Sequence, residues 1–446
     1  QYFIRGFNLD HGTDFDTNID GMPINLPSHG HGQGYTDLNF IIPESISSIN
    51  YQKGSYSATQ GDFSSAGSAN FNLIDTLTHQ QVSLSIGEDN YKRATVLAST
   101  DVTKGKLMAA AEWQGYSGPW DDINEAVNKK NALLRYVGKA FNGDFTLSAM
   151  AYDNSWNSAD QIPKRAVSQG LISQLGSLDT SLGGNSSRYS LSTVWQGENL
   201  KVNAYAISYD LDLYSNFSYF LNDPVNGDQF NQKDSRKVYG GEFNYQFDTK
   251  MLAINMQHTA GLALHHTNID NVGLYNTKKR KRLSTVRQDD LNQTSYSAHW
   301  GSKLFLSTNL EASLGIRYDY YNVDVNSNIS ANSGSQNDDL VSLKASLNYQ
   351  FTDLVAAYAN WGQSFHSNDA RGATINVDPV TLDKSEQVDL LVKSEGAEIG
   401  LRFAEPKTFN LSAALWWLNL DSELLFVGDA GNTEPSDASE RYGIEM

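Results

Sequence analysis

In residues 341–351, VSLKASLNYQF, Val341, Leu343, Ala345, Leu347, Tyr349 and Phe351 share one face, while Ser342, Lys344, Ser346, Asn348 and Gln350 share the other. A period of two without a slip is an extended strand with one apolar and one polar side. The same alternation recurs in VSLSI (82–86), FTLSAMA (145–151) and ALLRYVGKA (132–140), where Arg135 and Lys139 fall together against Leu134 and Tyr136. One stretch, KVNAYAISYDLDL (201–213), is apolar on both faces in part.

Alternation alone fits a sandwich, a propeller or a barrel, and the connections discriminate between them. Short turns are expected near 101–105, 142–144, 197–199, 248–250, 352–353 and 404–408, with long polar connections near 117–129, 156–187, 215–236, 267–289, 323–338, 362–386 and 421–439. Short and long connections alternate, which results when antiparallel strands cross a layer and only one side is free to elaborate its loops. A bilayer is such a layer, and in it the sheet must close, because unpaired edge groups in lipid cost several kcal/mol each. The pattern predicts a mostly β chain built around a large antiparallel transmembrane β-barrel, incomplete at roughly 15–16 of the 22 strands of plugged transporters. Lys344, Arg135 and Lys139 should then face the lumen or a rim, since a lysine at the bilayer midplane costs roughly 2–4 kcal/mol. Aromatic clusters in ALWWLNL (414–420) and RYDYY (317–321) suit interfacial girdles.

Composition removes other classes. The chain has no cysteine, which excludes disulfide frameworks, thiolate nucleophiles and Cys zinc sites. Its formal charge of -18 argues against nucleic acid as a partner. No apolar run is long enough for a membrane helix; stretches such as LVAAYANW are short and broken. There is no GxSxG, Walker-type loop or GxGxxG after a strand, so the chain is not expected to be an enzyme and no cofactor is expected. It opens at Gln1 and stops at RYGIEM within an expected strand, and is read as a fragment lacking both ends.

Residues 1–75 differ from the rest: glycine and aspartate are closely spaced, clean strands are few, and a small turn-rich α/β domain is expected ahead of the barrel over 76–446. IRGF (4–7), the Asp20-Gly21 of NIDGMPIN and PESISSINYQKGSYSATQGDFSSAGSANF (43–71) resemble the second half of the plug of TonB-dependent outer-membrane receptors. Lys53-Gly54-Ser55 stands where the family has a KGP-type turn, and Ala66-Gly67-Ser68 where many members have paired glycines. In the barrel, DQIPKRAVSQGLISQLGSLD (160–179), DPVNGDQFNQKDSRKVYGGE (223–242), WGQSFHSNDARG (361–372) and ELLFVGDAGNTEPSDASERYGIE (423–445) resemble a subgroup whose ligand the sequence leaves open. The resemblance implies active uptake of a scarce nutrient in the outer membrane of a Gram-negative bacterium. It also implies the TonB complex, outer-membrane lipid and an extracellular small molecule as partners, and a monomer. A signal peptide, TonB box, first half of the plug and last strands would lie beyond the two ends. The cargo could be a ferric siderophore, cobalamin, a free or chelated metal, or an oligosaccharide. A passive outer-membrane porin and a secreted β-rich binding protein are the alternative readings.

Candidate ligand contacts cluster in three places. His29 and His31 in SHGHGQGY (28–35) would share a side of an extended backbone, which suits metal capture, with Gln33 and Tyr35 beside them. Asp10, His11, Asp14 and Asp16 supply further donors. The competing reading is a glycine-permitted turn whose histidines hydrogen-bond the barrel. Phe217, Tyr219 and Phe220, and Phe365, His366 and Arg371, could line a chamber or merely pack loop on loop. The basic run TKKRKRLSTVR (277–287) is read as an exterior loop, either solvated and without a role or meeting lipopolysaccharide phosphates or an anionic ligand.

Overall fold

The computed structural model describes residues 3–8, 13–405, 408–423, 425–427, 429–430, 432–434 and 437–446. Sixteen strands form one antiparallel sheet in strict sequence order, from Gln81–Ile86 to Ser439–Glu445, and its two edge strands are not paired to each other.

Along one rim the connections are the short ones at 103–104, 141–142, 197–199, 252–253, 306–309, 353–354 and 406–408. The opposite rim carries 117–126, 158–182, 216–229, 328–333, 368–390 and 421–438. Two expectations change. Residues 248–250 are still strand, within Phe230–Met251, and the turn at 306–309 was not anticipated. Residues 267–289 are not a loop: Ile254–Lys278 and Lys281–Phe305 form a long hairpin closed by a two-residue turn. Both differences have one cause. Beyond the bilayer the outward face has no reason to stay apolar, so strand continues where the alternation of hydrophobicity has ended.

Inside the belt the alternation holds. Val341, Leu343, Leu347, Tyr349 and Phe351 are exposed on the outer face, as are Leu314 and Ile316 of the neighbouring strand. Tyr296, Tyr318 and Tyr320 bound the apolar band on the long-loop side, while Phe305, Tyr349 and Phe351 bound it on the other. About ten residues of tilted strand separate the two rows, or roughly 25 Å, the height of a hydrocarbon core crossed by strands.

The N-terminal part is a four-stranded sheet ordered Met22–Pro23, Phe15–Ile19, Gly67–Leu73, Ile46–Lys53, with the central pair parallel. Its helical content among the described residues is a single 3-10 turn, Pro43–Ser45, where an α/β domain was expected. Ile19, Met22, Ile24, Phe40, Ile41, Ile42 and Leu73 pack against Leu97, Met108, Leu133, Met150, Ile207 and Val238 of the wall. The strand at 201–213 is therefore apolar on two faces because one meets the outside and the other meets this insert. Lumenal cations fasten it further. Arg135 bonds Asp20 and Asp75, Lys344 donates to Ser55 Oγ at 2.6 Å, and Arg93 pairs with Glu44 and Glu112. Lys139 pairs with Asp144 at the short-turn rim.

Candidate functional site at the plug apex

The chain leaves the insert sheet after Pro23 and is pinched by a bridge between Leu26 and Tyr35, so that residues 27–34 form a loop beneath the long-loop rim. Glycine is required in it. A Cβ on Gly30 would lie 2.7 Å from the Lys233 carbonyl, and Gly34 has φ +72 with Thr13 N 2.9 Å from where a Cβ would sit.

This loop is sewn to the wall. The Ser28 carbonyl accepts from Arg236 Nη2 at 2.6 Å and the His29 carbonyl from Arg371 Nη2 at 2.7 Å. The His29 amide donates to Asp369 Oδ2 at 3.1 Å and the Gly30 amide to Asp234 Oδ2 at 2.9 Å. Gln33 bonds twice, its Nε2 donating to Asn368 Oδ1 and its Oε1 accepting from Asp369 N. His29 Nδ1 accepts from the His31 amide at 3.1 Å, which leaves Nε2 to carry the proton toward Tyr209 Oη, 3.2 Å away. His31 Nδ1 lies 2.9 Å from Gln232 Oε1.

The charged partners are local pairs. Asp234 with Arg236, Arg287 with Asp289, Arg317 with Asp319 and Asp369 with Arg371 each lie two residues apart. The first three sit on strands, where that spacing puts both side chains on one face. Each arginine is thereby neutralised by its near neighbour before burial, which avoids the several kcal/mol of an isolated buried charge. Asp369 also caps the short helix Ala370–Ala373.

The expected site residues separate into groups. His29, His31, Gln33, Tyr35 and Arg371 come together as one cluster; His29 is fully buried and Tyr35 and His31 are half-buried. Asp14 and His366 form a second contact, Nδ1 to Oδ1 2.9 Å, and Phe365 is buried edge-on against Tyr321 rather than lining a chamber. Tyr219 is buried and donates to the Gln161 carbonyl, whereas Phe217 and Phe220 are exposed on the 216–229 loop, apart from the histidines. Asp10 and His11 lie outside the described residues. As placed, both ring nitrogens of His29 are engaged, and the described residues contain no group of three or more His, Asp or Glu arranged to hold a metal.

Below the apex a polar cavity of about 710 Å³ separates insert from wall, lined by Asp16, Asp62, Asn203, Glu242, Gln293 and Arg317 among others. Burial pushes the Asp16 carboxyl up to about 7 and that of Asp62 up to about 6, the latter despite donors from Ser367 and Tyr321. Sequence reasoning missed Tyr209, Asp234, Arg236, Arg287, Asp289 and Asp369. The usable signal was the repeated Asp and Arg at a spacing of two, in DSR, RQD, RYD and DAR.

The family described as TonB dependent receptor-like, beta-barrel matches residues 112–446, and the TonB-dependent Receptor Plug Domain matches residues 1–68. No curated protein matches the sequence. The fold is similar to the ferric citrate transporter FecA in its unliganded form, at 15% identity and TM-score 0.76, covering 99% of this chain and 66% of that one. It is similar to the closed form of the ferric-catecholate import receptor Fiu of E. coli K12, at 12% identity and TM-score 0.72, covering 99% and 70%. The siderophore receptor PiuA from Acinetobacter baumannii gives 14% identity and TM-score 0.72, covering 99% and 69%. The chain thus spans about two thirds of the length of these proteins.

Proposed function

The chain belongs to the TonB-dependent receptor family through both its plug and its barrel, and on that premise we propose that it is an energy-coupled importer of a scarce nutrient, a ferric siderophore or other metal chelate. Family members and the fold neighbours are outer-membrane receptors and transporters, not enzymes. For this chain the reading places it in the outer membrane of a Gram-negative cell, as a monomer, with the TonB complex supplying force from the inner membrane.

The observation that carries the reading is the seal between Ser28–Tyr35 and the wall. Four of its hydrogen bonds involve a buried charged group, and such bonds contribute roughly 1.5–3 kcal/mol each. A seal of this strength does not open on thermal fluctuation, so a porin that leaves an aqueous channel does not suit it, and work done on the plug does. A secreted binding protein has no use for the outward apolar band. The fold neighbours are a ferric citrate transporter, a ferric-catecholate import receptor and a siderophore receptor, which favours a chelate as cargo.

In this mechanism cargo is captured on the long-loop side, and the segment 368–373 lifts from the apex. His29, His31, Gln33 and Tyr35 then exchange their wall partners, and Arg371 its bond to the His29 carbonyl, for the chelate's oxygens, with Asp14 and His366 shifting beside them. Phe217, Tyr219 and Phe220 belong to the rim the cargo passes. The test is growth rescue of iron-, zinc- or vitamin-limited cells by the receptor on a panel of chelates. Rescue by one chelate class, lost in the His29→Ala, His31→Ala double variant, supports the reading; no rescue by any member removes it.

A further inference from the structure

The connection 216–229 is a rigid loop that holds apolar side chains outward. Asp228 accepts from the amides of Leu221, Asn222 and Asp223 and from Ser218 Oγ, and Asp223 in turn accepts from the amides of Val225 and Asn226. On this frame Phe220 is 57% exposed, Leu221 75% and Val225 77%. Natural surfaces rarely fix several large apolar groups side by side in water without a use for them.

The cationic hairpin tip stands against the same loop. Lys278 Nζ donates to the Val225 carbonyl at 3.1 Å, and Thr277 Oγ1 and the Arg280 amide both donate to Gln229 Oε1. Arg280 also reaches the Ser181 and Leu182 carbonyls of the 158–182 connection, so three excursions are locked together. Lys279 and Arg280 occupy the turn with φ +51 and +62, where Asn-Gly would be relaxed. Each costs about 1–2 kcal/mol in that conformation. The backbone carries this strain in order to end on five consecutive cations, Lys278 to Arg282, in a chain of net charge -18.

We propose that Phe220, Leu221 and Val225 together with Lys279, Lys281 and Arg282 form a docking surface for an extracellular protein that presents acidic groups around apolar side chains. The inference rests on the receptor reading for the side on which these loops lie. Lipid is disfavoured by height: from Tyr296 to Lys281 the strand runs fifteen residues, roughly 50 Å of strand or about 35–40 Å above the girdle at a 40° tilt. A small molecule is disfavoured by shape, since such ligands take concave sites and these side chains project. The chain's overall negative charge does not prevent the encounter, because at physiological salt the screening length is about 8 Å and only the local cations are felt on contact. Preorganisation of the loop limits the ordering cost of binding.

The test uses the detergent-purified receptor and three synthetic peptides of equal length: one with paired glutamates around Phe and Leu, one with lysine for each glutamate, and polyglutamate. Vesicles containing lipid A are the fourth probe. The acidic apolar peptide is expected to bind best, and to weaken roughly ten-fold in Lys279→Glu, Lys281→Glu and again in Leu221→Ser, Val225→Ser. All four substituted side chains are exposed, and heat-modifiable gel mobility checks that the barrel is folded. Equal binding of the acidic and basic peptides, unchanged binding in both variants, or preferential capture by lipid A through the same lysines overturns the proposal. Uptake is not read in this assay, so the surface can fail while the receptor reading stands.

Discussion

The imidazole of His29 and the phenol ring of Tyr35 stack face to face, centroids 4.0 Å apart and planes within 6°. They flank a loop rich in glycine, and the stack supplies the order that glycine withholds. Tyr209 closes the group from the wall, tilted against His29 at 5.5 Å. The apex is thus held in one shape by rings, and held in place by ion pairs.

Tyr35→Ala removes the stack, which contributes about 0.5–1.5 kcal/mol. Amide hydrogen exchange over 28–35 should then quicken by up to roughly ten-fold, while Tyr35→Phe stays near the parent. Equal exchange in Tyr35→Ala and the parent would show that the wall bonds alone order the loop.

Asp369 and Arg371 form a buried pair with both partners bonded to the apical loop. Removing one member strands the other's charge and should cost about 3–5 kcal/mol, whereas removing both leaves two neutral groups. Protease cleavage within 28–35 is expected to rise steeply in Arg371→Ala and in Asp369→Ala, and less in the double variant than the two singles sum to. Strict additivity would mean the pair is not coupled.

The Asp16 carboxyl, raised to about 7 by burial, sets a pH dependence. The folded state prefers the protonated acid, so this contribution is full below about 4 and is lost as pH rises through about 7. Allowing for contact with cavity water, the loss is on the order of 1–2 kcal/mol. Plug protection against exchange should therefore fall between about pH 4 and pH 7 and level off above, and the fall should flatten in Asp16→Asn. A parent profile already flat would place Asp16 in full contact with solvent.

Leu314 faces outward in the middle of the apolar band and Ser313 faces inward beside it. Leu314→Arg should destabilise the reconstituted barrel by about 2–4 kcal/mol, measured by urea unfolding in lipid, and Ser313→Arg by much less. Equal losses would mean that the outer face does not contact hydrocarbon.

The barrel was legible because a bilayer imposes a two-residue period on every strand inside it, as in 341–351. Legibility ended at the membrane surface. The hairpin at 254–305 continues as strand in water, where neither face must be apolar, and its tip reads as a loop in sequence. The apical loop could be located from its glycines and histidines, but its partners could not. Asp234 and Asp369 come from segments more than two hundred residues downstream, and only the folded wall brings them to His29 and Gly30. The histidines suggested metal; the structure gives their ring nitrogens to Tyr209, Gln232 and the loop's own backbone.

The most direct test of the central claim, a lumen sealed by its plug and opened by coupled energy, is the initial rate of radiolabelled chelate accumulation in matched cells with and without TonB. The account predicts saturable accumulation with TonB, and without it surface binding of the same affinity and no accumulation. Equal accumulation in both strains, rising linearly with external concentration, would contradict it.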